Sequence, residues 1–216
     1  MNQVVPPSFL FHYSLGMPRE DRLPGPKGAL IPGSVPLLMF PSALNASEQN
    51  VQWRAAWSED GIALSLAVSG KTSEPSGRWS SLQNSDYLMI CIDTRHTANV
   101  HRATEYCLAF RVLVSDEDAS DAPTVQAYEF AQRSAKVAFD PRRCRAESKK
   151  KENGYLLDLW IPSTQIPGFA DAIEIGHIGF YLIIHDSELG EIPLSVGGDF
   201  PVTHDPSTWI QLELQA

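Results

Sequence analysis

Alternation of apolar and polar side chains along consecutive short segments most constrains how this 216-residue chain can fold. Residues 86–93 read DYLMICID, and residues 105–114 read EYCLAFRVLV. Apolar residues at every second position, many of them β-branched or aromatic, are typical of strands that pack one face into a core. Because side chains alternate between the two faces of a strand with a period of two, both segments are predicted as strands.

Similar strand patterns recur along most of the chain, separated by turn sequences such as Glu59-Asp60-Gly61 and Glu152-Asn153-Gly154. No segment shows sustained helical periodicity, apart from one turn at 163–166. Many short strands at this spacing predict an all-β fold, a two-sheet and mainly antiparallel β-sandwich of jelly-roll type. The predicted strands are 51–57, 61–69, 86–93, 105–114, 124–130, 134–140, 154–161, 175–185 and 208–214.

The first fifty residues differ in composition from the rest of the chain. They hold half of the sixteen prolines, together with several glycines. Since proline cannot donate a hydrogen bond to a sheet, we expect an irregular N-terminal extension, residues 1–50, with a short strand at 37–40. This extension is predicted to pack on a sandwich domain formed by residues 51–216.

Composition narrows the classes of partner and the cellular compartment. A net charge of −9 argues against nucleic acid as a partner, and no apolar run is long enough to span a membrane. The N-terminus lacks a basic segment and is interrupted by Pro6-Pro7, so we predict no signal peptide. Three cysteines without metal-type spacing favour reduced thiols and a cytoplasmic location.

A basic run, residues 142–151, contains six basic residues and one acidic residue. Such a run is either a solvated hairpin or a docking site for an acidic protein partner. The sequence leaves both interpretations open.

Alternation also predicts which side chains share a face of the sheets. If the strands 86–93, 105–114, 154–161 and 175–185 belong to one sheet, its outward face collects aromatic rings beside hydrogen-bonding groups. Sugars suit such a surface, since their C–H faces stack on rings and arginine or aspartate binds their hydroxyls. An alternative is an Arg111–Asp158 salt bridge beneath the N-terminal extension. The outward set is Tyr87, Met89, Arg111, Asp158, Trp160, Tyr181 and His185.

Catalytic and metal-binding patterns are weak in this sequence. It contains no G-x-S-x-G elbow and no phosphate-binding glycine loop, and no carboxylate pair stands out for glycoside hydrolysis. His96 and His101 lie near Asp93 and Glu105, but their spacing matches no zinc motif, and they are predicted as loop residues. We therefore predict a protein that is not an enzyme.

Five sequence motifs, in order, resemble those of the family 9 carbohydrate-binding modules, within the broader DOMON-like β-sandwich group. The resemblance covers residues 51–214. The motifs are VQWRAAWSEDGIALSLAV, WSSLQNSDYLMICID, NGYLLDLWIP, IGHIGFYLIIHD and HDPSTWIQLEL.

The resemblance implies the β-sandwich fold and a mono- or oligosaccharide ligand held between two tryptophan rings, in a module that accompanies glycoside hydrolases. Trp79 then corresponds to one of the two rings and Arg111 to the family's arginine. The motifs WSSLQNSDYLMICID and IGHIGFYLIIHD add Asp86 and Asp186 to the implied sugar site. The chain departs from the family pattern at Met89, which replaces a glutamate, at His185, which replaces an asparagine, and at Thr203, which replaces the second tryptophan. Phe200 is a substitute ring from the same loop. No cofactor is implied apart from structural calcium held by loop carboxylates, for which no residues can be assigned.

Two other functions remain open. DOMON-like cytochrome domains hold haem through methionine and histidine, and Met89 and His185 are predicted to share a face. The domain could also be a protein-interaction module whose sugar site has decayed. In the sugar-binding interpretation, Trp79 stacks on the sugar, Arg111 donates to its hydroxyls, and Asp158, Tyr181 and His185 form the floor. Trp53, Trp57 and Trp209 are assigned to the core.

Overall fold

The computed structural model describes residues 12–41, 50–97, 99–130, 137–203 and 205–216. Within these residues the protein is a β-sandwich of eleven strands in two sheets, with one short α-helix. The elements are β1 (Ser14–Pro18), β2 (Val51–Ser58), β3 (Gly61–Ser69), β4 (Tyr87–Asp93), β5 (Cys107–Asp116), β6 (Ala122–Ala127), β7 (Arg145–Lys151), β8 (Gly154–Pro162), α1 (Phe169–Ile175), β9 (His177–Asp186), β10 (Gly190–Pro193) and β11 (Ile210–Gln215).

The larger sheet has seven strands in the order β1-β11-β9-β4-β5-β6, and β10 pairs with β9. The smaller sheet has the order β2-β3-β8-β7. All pairs are antiparallel except β1 with β11, which is parallel. The predicted two-sheet, mainly antiparallel sandwich is therefore confirmed.

The main core lies between the two sheets and consists of the residues that alternation assigned to it. The stacked rings of Trp53 and Phe180, with centroids 5.6 Å apart and planes 7° apart, link the smaller sheet to the larger one. Tyr106 is an exception, because it precedes β5 and is only half-buried. The inward sets are Leu88, Ile90 and Ile92 in β4, Leu108, Phe110 and Val112 in β5, Tyr155, Leu157, Leu159 and Ile161 in β8, and Ile178, Phe180, Leu182 and Ile184 in β9.

Three strands were not predicted from the sequence, namely β1, β7 and β10. The sequence of β7, RAESKKK, shows no alternation because β7 is an edge strand with little apolar surface to bury, and lysines at an edge disfavour pairing with other chains. The predicted strand at 37–40 is wrong, since only Leu38 bridges to Trp53 there. The predicted strand 134–140 lies partly outside the described residues, and 137–140 are not a strand.

Residues 20–36 cover part of the outer face of the smaller sheet. Leu23, Leu30, Ile31 and Val35 form a separate cluster with Ala56, Ala63 and Trp160. Trp160, predicted to point outward, does so and is buried beneath this cover. The remaining outward-facing surface of interest is therefore on the larger sheet.

Helical structure is limited in the described part of the chain. The helix α1 begins after Gly168 and ends before Gly176, and both glycines adopt positive φ angles, 68° and 88°, which favour glycine. Among the described residues, none of the helices is long and apolar enough to cross a bilayer.

Candidate functional site

Among the described residues, loops cover one half of the outer face of the larger sheet, the covered half, and leave the other half uncovered. Loop residues between 194 and 209 cover the first half with Val196, Val202 and Trp209, which pack on Met89, Cys91, Cys107, Ala109, Tyr181 and Ile183. Tyr181, predicted for the floor of a sugar site, is fully buried here, and its hydroxyl donates to the Val196 carbonyl oxygen at 2.7 Å. Tyr181 is therefore part of a second core and is not available to a ligand.

The uncovered half carries aromatic and basic side chains on neighbouring strands. His185 of β9 lies opposite Tyr87 of β4, and Arg111 of β5 lies one register row away, opposite Met89. The rings of Tyr87 and His185 stack with centroids 4.3 Å apart and planes 11° apart. The Arg111 guanidinium carbon lies 5.8 Å from the Tyr87 ring centroid and 4.7 Å from that of Tyr128, which follows β6 and packs, partly buried, against the edge of the covered half.

Trp79 joins this region from a 3-10 helix, Trp79–Asn84, in the loop before β4. Its indole Nε1 donates to Thr124 Oγ1 at 3.0 Å. Thr124 is on the outer face of β6, because its neighbour Val125 packs into the main core, and it shares a register row with Tyr87. We call the set formed by Trp79, Tyr87, Arg111, Tyr128 and His185 the aromatic–arginine patch.

Arg111 has no anionic partner in the patch. Its Nε is buried without a hydrogen-bond partner, and no carboxylate of the described residues forms a salt bridge with it. A half-buried guanidinium normally recovers its lost hydration through hydrogen bonds to an anion or to several oxygens. Arg111 is thus a planar cation that lies over two rings and has no counter-ion among the described residues.

His185 contributes a polar edge to the patch. Its Nδ1 lies 3.0 Å from Glu191 Oε1 of β10. Burial lowers the pKa of His185; the Glu191 carboxylate opposes this shift, and the Arg111 charge adds to it. The ring is therefore neutral at neutral pH. Because a carboxylate only accepts, Nδ1 carries the proton and Nε2 is left as an acceptor.

Solved structures with the same architecture belong to proteins with carbohydrate-binding names. A family 9 carbohydrate-binding module from Caldicellulosiruptor kristjanssonii in complex with glucose superposes with a TM-score of 0.65 and 14% identity, over 94% of this chain and 96% of that one. The same kind of module in complex with cellotriose gives 0.62 and 14%, over 94% of each chain. A candidate carbohydrate-binding protein from Bacteroides uniformis gives 0.57 and 13%, over 95% of this chain and 100% of that one.

This chain has the fold of the family 9 carbohydrate-binding modules. The fold named from the sequence motifs is thereby confirmed. At 13–14% identity the likeness concerns the fold alone. No protein-family model matches the sequence, and no curated protein sequence matches it either.

Within this family 9 fold, Asp158 is separated from the aromatic–arginine patch. It lies on β8 of the smaller sheet, opposite Ser65 and Glu147, and is only 5% exposed. The expectation that 154–161 shares a sheet with the other three strands is wrong, and so is the Arg111–Asp158 salt bridge. The alternation identifies the face of a strand but not the sheet to which the strand belongs.

Asp86 and Asp186 are also placed away from the open surface, in a buried ion network. Lys71 Nζ lies 3.0 Å from Asp86 Oδ1 and 2.9 Å from Asp186 Oδ1, and all three side chains are fully buried. Asp86 Oδ1 accepts from the Ser187 backbone N–H at 2.8 Å, and its Oδ2 accepts from that of Ser76 at 2.9 Å. The network connects the loop that carries Trp79 to the turn after β9. Both aspartates therefore hold that loop in place without being exposed to a ligand.

Calcium does not fit this network. The Lys71 ammonium already lies between the Asp86 and Asp186 carboxylates, so a calcium ion could bind there only by displacing it. In the described ranges, no group of three or more histidine, cysteine or acidic side chains is arranged to hold a metal ion.

Haem does not fit the residues suggested for it. Met89 is 3% exposed and packs within the covered half, and one face of the His185 ring is stacked on Tyr87. Ligation of haem iron by Met89 would require that side chain to leave its cluster.

The other positions where the chain departs from the family pattern lie near the covered half. Phe200 packs, partly buried, against the cluster that contains Trp209, and Thr203 is half-buried. His204 lies outside the described residues. The other rings of the aromatic–arginine patch are those of Tyr87 and Tyr128. Tyr128 was missed in the sequence, although alternation from Val125 within the predicted strand 124–130 would have placed it near the opposite face.

A cavity of about 390 Å³ lies at the opposite end of the same sheet, at the end of β4. There the Arg95 guanidinium stacks on the Tyr106 ring at 3.7 Å and pairs with Asp171 at 3.3 Å. His101, from the neighbouring loop, pairs with Asp205 at 3.0 Å. Because Arg95 has a carboxylate partner, it offers a natural comparison for Arg111.

The basic run 142–151 is largely paired within the protein. Lys149 Nζ donates to the Gly28 carbonyl oxygen at 2.6 Å, Lys150 lies 2.5 Å from Glu74, and Arg142 lies 2.9 Å from Asp140. The hairpin of β7 and β8 agrees with the first of the two interpretations. The docking of an acidic partner here stays a prediction.

Glu188 gives the Trp79 loop a second, pH-sensitive attachment. The Ser73 backbone N–H, the hydroxyls of Thr72 and Ser73 and the Thr72 backbone N–H all donate to its carboxylate and lower its pKa from 4.5 to about 2. A lowered carboxyl pKa in the folded state stabilises the fold above pH 4.5, and this contribution is lost as the pH falls towards 2.

We expect Glu188→Gln to make stability less dependent on pH in that window. The variant lacks the group whose protonation weakens the wild type, so the difference in thermal midpoint between the two proteins should shrink as the pH falls from 4.5 to 2. Thermal unfolding followed by circular dichroism at a series of pH values measures this. Glu152→Gln, in the turn between β7 and β8, is the surface control. A constant difference for Glu188→Gln across the window would contradict the assignment.

Proposed function

We propose that this protein binds a mono- or oligosaccharide, without catalysis, at the aromatic–arginine patch. The observation that carries the proposal is Arg111, a half-buried guanidinium without an anionic partner, flanked by the rings of Tyr87 and Tyr128. It lies on the uncovered half of the sheet face, where a flat polar ligand can approach. Two structures of the same fold are complexes with glucose and with cellotriose, which agrees with a sugar ligand.

The patch offers the two kinds of contact that a sugar requires. Aromatic faces stack on the C–H face of a pyranose, and fixed donors and acceptors bind its hydroxyls. Arg111 supplies donors, and His185 Nε2 supplies an acceptor on the other side of Tyr87. The exposed Gln126 amide, opposite Arg111 on β6, can serve as either.

The side chains of the patch favour binding over hydrolysis. Glycosidases use two carboxylates on either side of the scissile bond, about 5–10 Å apart. The patch itself contains no carboxylate, and the nearby Glu191 lies against His185. Asp86 and Asp186, which are close in sequence to patch residues, are committed to Lys71.

Calorimetric titration with glucose, cellobiose and xylobiose tests the proposal. We expect saturable binding, and we expect Trp79→Ala and Tyr87→Ala each to weaken it by about 1–3 kcal/mol, the range found for aromatic stacking on flat ligands. Tyr106→Ala removes an aromatic ring at the opposite end of the same sheet and should leave the affinity unchanged.

Two outcomes would refute the proposal. One is the absence of binding to every sugar at millimolar concentration by a protein shown to be folded. The other is binding that Tyr106→Ala weakens and Trp79→Ala does not, which would place the ligand in the cavity near Asp93. A Soret band on adding haem would support the redox alternative in place of sugar binding.

A further inference from the structure

We infer that the ligand of the aromatic–arginine patch is an acidic sugar of the uronic acid class, whose carboxylate pairs with Arg111. This inference rests on the proposed function and specifies its ligand. The juxtaposition behind it is an unneutralised guanidinium at the floor of an aromatic surface.

The burial of Arg111 is the first argument. Burying a charged group costs free energy unless it is paired, and arginine on a protein surface usually meets a carboxylate. Two exposed arginines of this protein do so: Arg78 lies 2.6 Å from Glu117, and Arg95 lies 3.3 Å from Asp171, whereas Arg54 on β2 has, like Arg111, a buried Nε without a partner. Arg111 is more enclosed than Arg78 and Arg95, yet no salt bridge to it is found among the described residues, its guanidinium lies over the rings of Tyr87 and Tyr128, and its Nε is unpartnered.

The surroundings of Arg111 leave its positive charge largely uncompensated. Glu191 of β10 and Asp116 at the end of β5 are acidic groups near the patch. Glu191 lies against His185 and its side chain is 55% exposed, so water screens it, and Asp116 accepts from the Thr124 hydroxyl. The Arg111 charge acts on the rings of Tyr87 and His185. Burial raises the pKa of Tyr87, and the Arg111 charge opposes this increase. Burial lowers the pKa of His185, and the Arg111 charge lowers it further. A ligand carboxylate would supply the missing counter-charge.

The shape of the patch selects a ring that carries one carboxylate. Guanidinium binds carboxylate with two parallel N–H···O bonds, which a pair of sugar hydroxyls matches less well. The tyrosine rings can stack on the flat C–H face of a pyranose, and an open-chain sugar acid has no such face to offer. The net charge of −9 disfavours densely charged polyanions, whereas a single carboxylate near Arg111 is attracted locally.

Titration of the whole protein with methyl glucuronide and with methyl glucoside tests the inference, since the two ligands differ only at C6. We expect methyl glucuronide to bind about tenfold more tightly, the ratio that replacing neutral by charge-assisted hydrogen bonds gives. Added sodium chloride should weaken methyl glucuronide binding and leave methyl glucoside binding unchanged. Arg111→Gln should abolish the preference, and Arg95→Gln, which removes an arginine stacked on a tyrosine elsewhere on the same sheet, should preserve it.

The outcomes separate this inference from the proposed function. Equal affinity for the two glycosides, with both weakened by Trp79→Ala, would overturn the inference and leave sugar binding in place. Binding of neither glycoside, with no neutral sugar bound either, would remove the proposed function itself. If Arg111→Gln does not fold, the ratio of affinities and its salt dependence in the wild type still decide the question.

Discussion

Replacing Lys71 with methionine is expected to lower the free energy of unfolding by about 3–5 kcal/mol, since it would leave two buried carboxylates without a counter-ion. Lys71 is 1% exposed, and its ammonium donates to Asp86, Asp186 and the Ser187 hydroxyl. Burial lowers the pKa of Lys71, but the contacts with Asp186 and Asp86 more than offset this and raise it above the usual value, so the group stays charged.

Lys150→Met is the matched control for this prediction. Lys150 also forms an ion pair, with Glu74, but the two side chains are 56% and 75% exposed. Exposed pairs contribute about 0–1 kcal/mol, so Lys150→Met should change stability little. Urea unfolding of both variants measures the contrast. Equal losses for the two lysines would show that the Lys71 network is not the buried attachment described above.

Lys71→Met should also weaken ligand binding. Lys71 fixes the start of the loop that carries Trp79, and Asp86 fixes its end. In folded Lys71→Met protein, we expect weaker sugar binding than in the wild type, although Lys71 does not touch the patch. Titration with the sugar that binds the wild type measures this effect. Unchanged affinity would mean that Glu188 and the Trp79–Thr124 hydrogen bond hold the loop by themselves.

Sequence reasoning predicted the faces of the long strands because their alternation reflects burial on one side. Leu88, Phe110, Leu157 and Leu182 all lie in the main core as expected. Alternation carries no information on strand order, which is why Asp158 was assigned to the wrong sheet.

The site was predicted only in part, because its limits depend on contacts between distant segments. Tyr181 alternates like an outward residue, yet a loop beginning about a dozen residues later covers it. Lys71 pairs with Asp86, 15 positions away in the sequence, and with Asp186, 115 positions away. No local sequence pattern predicts such pairs. Trp79, Arg111 and His185, by contrast, lie together on the uncovered half, and their role in binding stays a prediction.

Trp53→Ala is expected to cost about 3–5 kcal/mol of stability, the range for removing a large aromatic side chain from a core. Trp53 is 2% exposed, stacks on Phe180 of the opposite sheet, and contacts Phe40 edge-on with centroids 6.3 Å apart. Its Nε1 donates to the Met39 carbonyl oxygen at 3.1 Å, which attaches the N-terminal segment to β2. Trp53→Phe keeps a ring against Phe180 and should lose less stability than Trp53→Ala in urea unfolding.

Substitutions of Trp53 and Trp79 should therefore affect different properties: Trp53→Ala mainly the stability of the fold, and Trp79→Ala mainly the affinity for the sugar. Trp53 lies between the sheets and Trp79 on the outer surface, so Trp53→Ala should lower stability while its folded fraction keeps the sugar affinity. Trp79→Ala should lower the affinity and cost only about 0.5–1.5 kcal/mol of stability, through the lost hydrogen bond to Thr124. Unfolding and calorimetric titration of both variants give the comparison. If Trp79→Ala lowered the free energy of unfolding as much as Trp53→Ala does, Trp79 would be a structural residue. The patch would then have one ring fewer for binding a ligand.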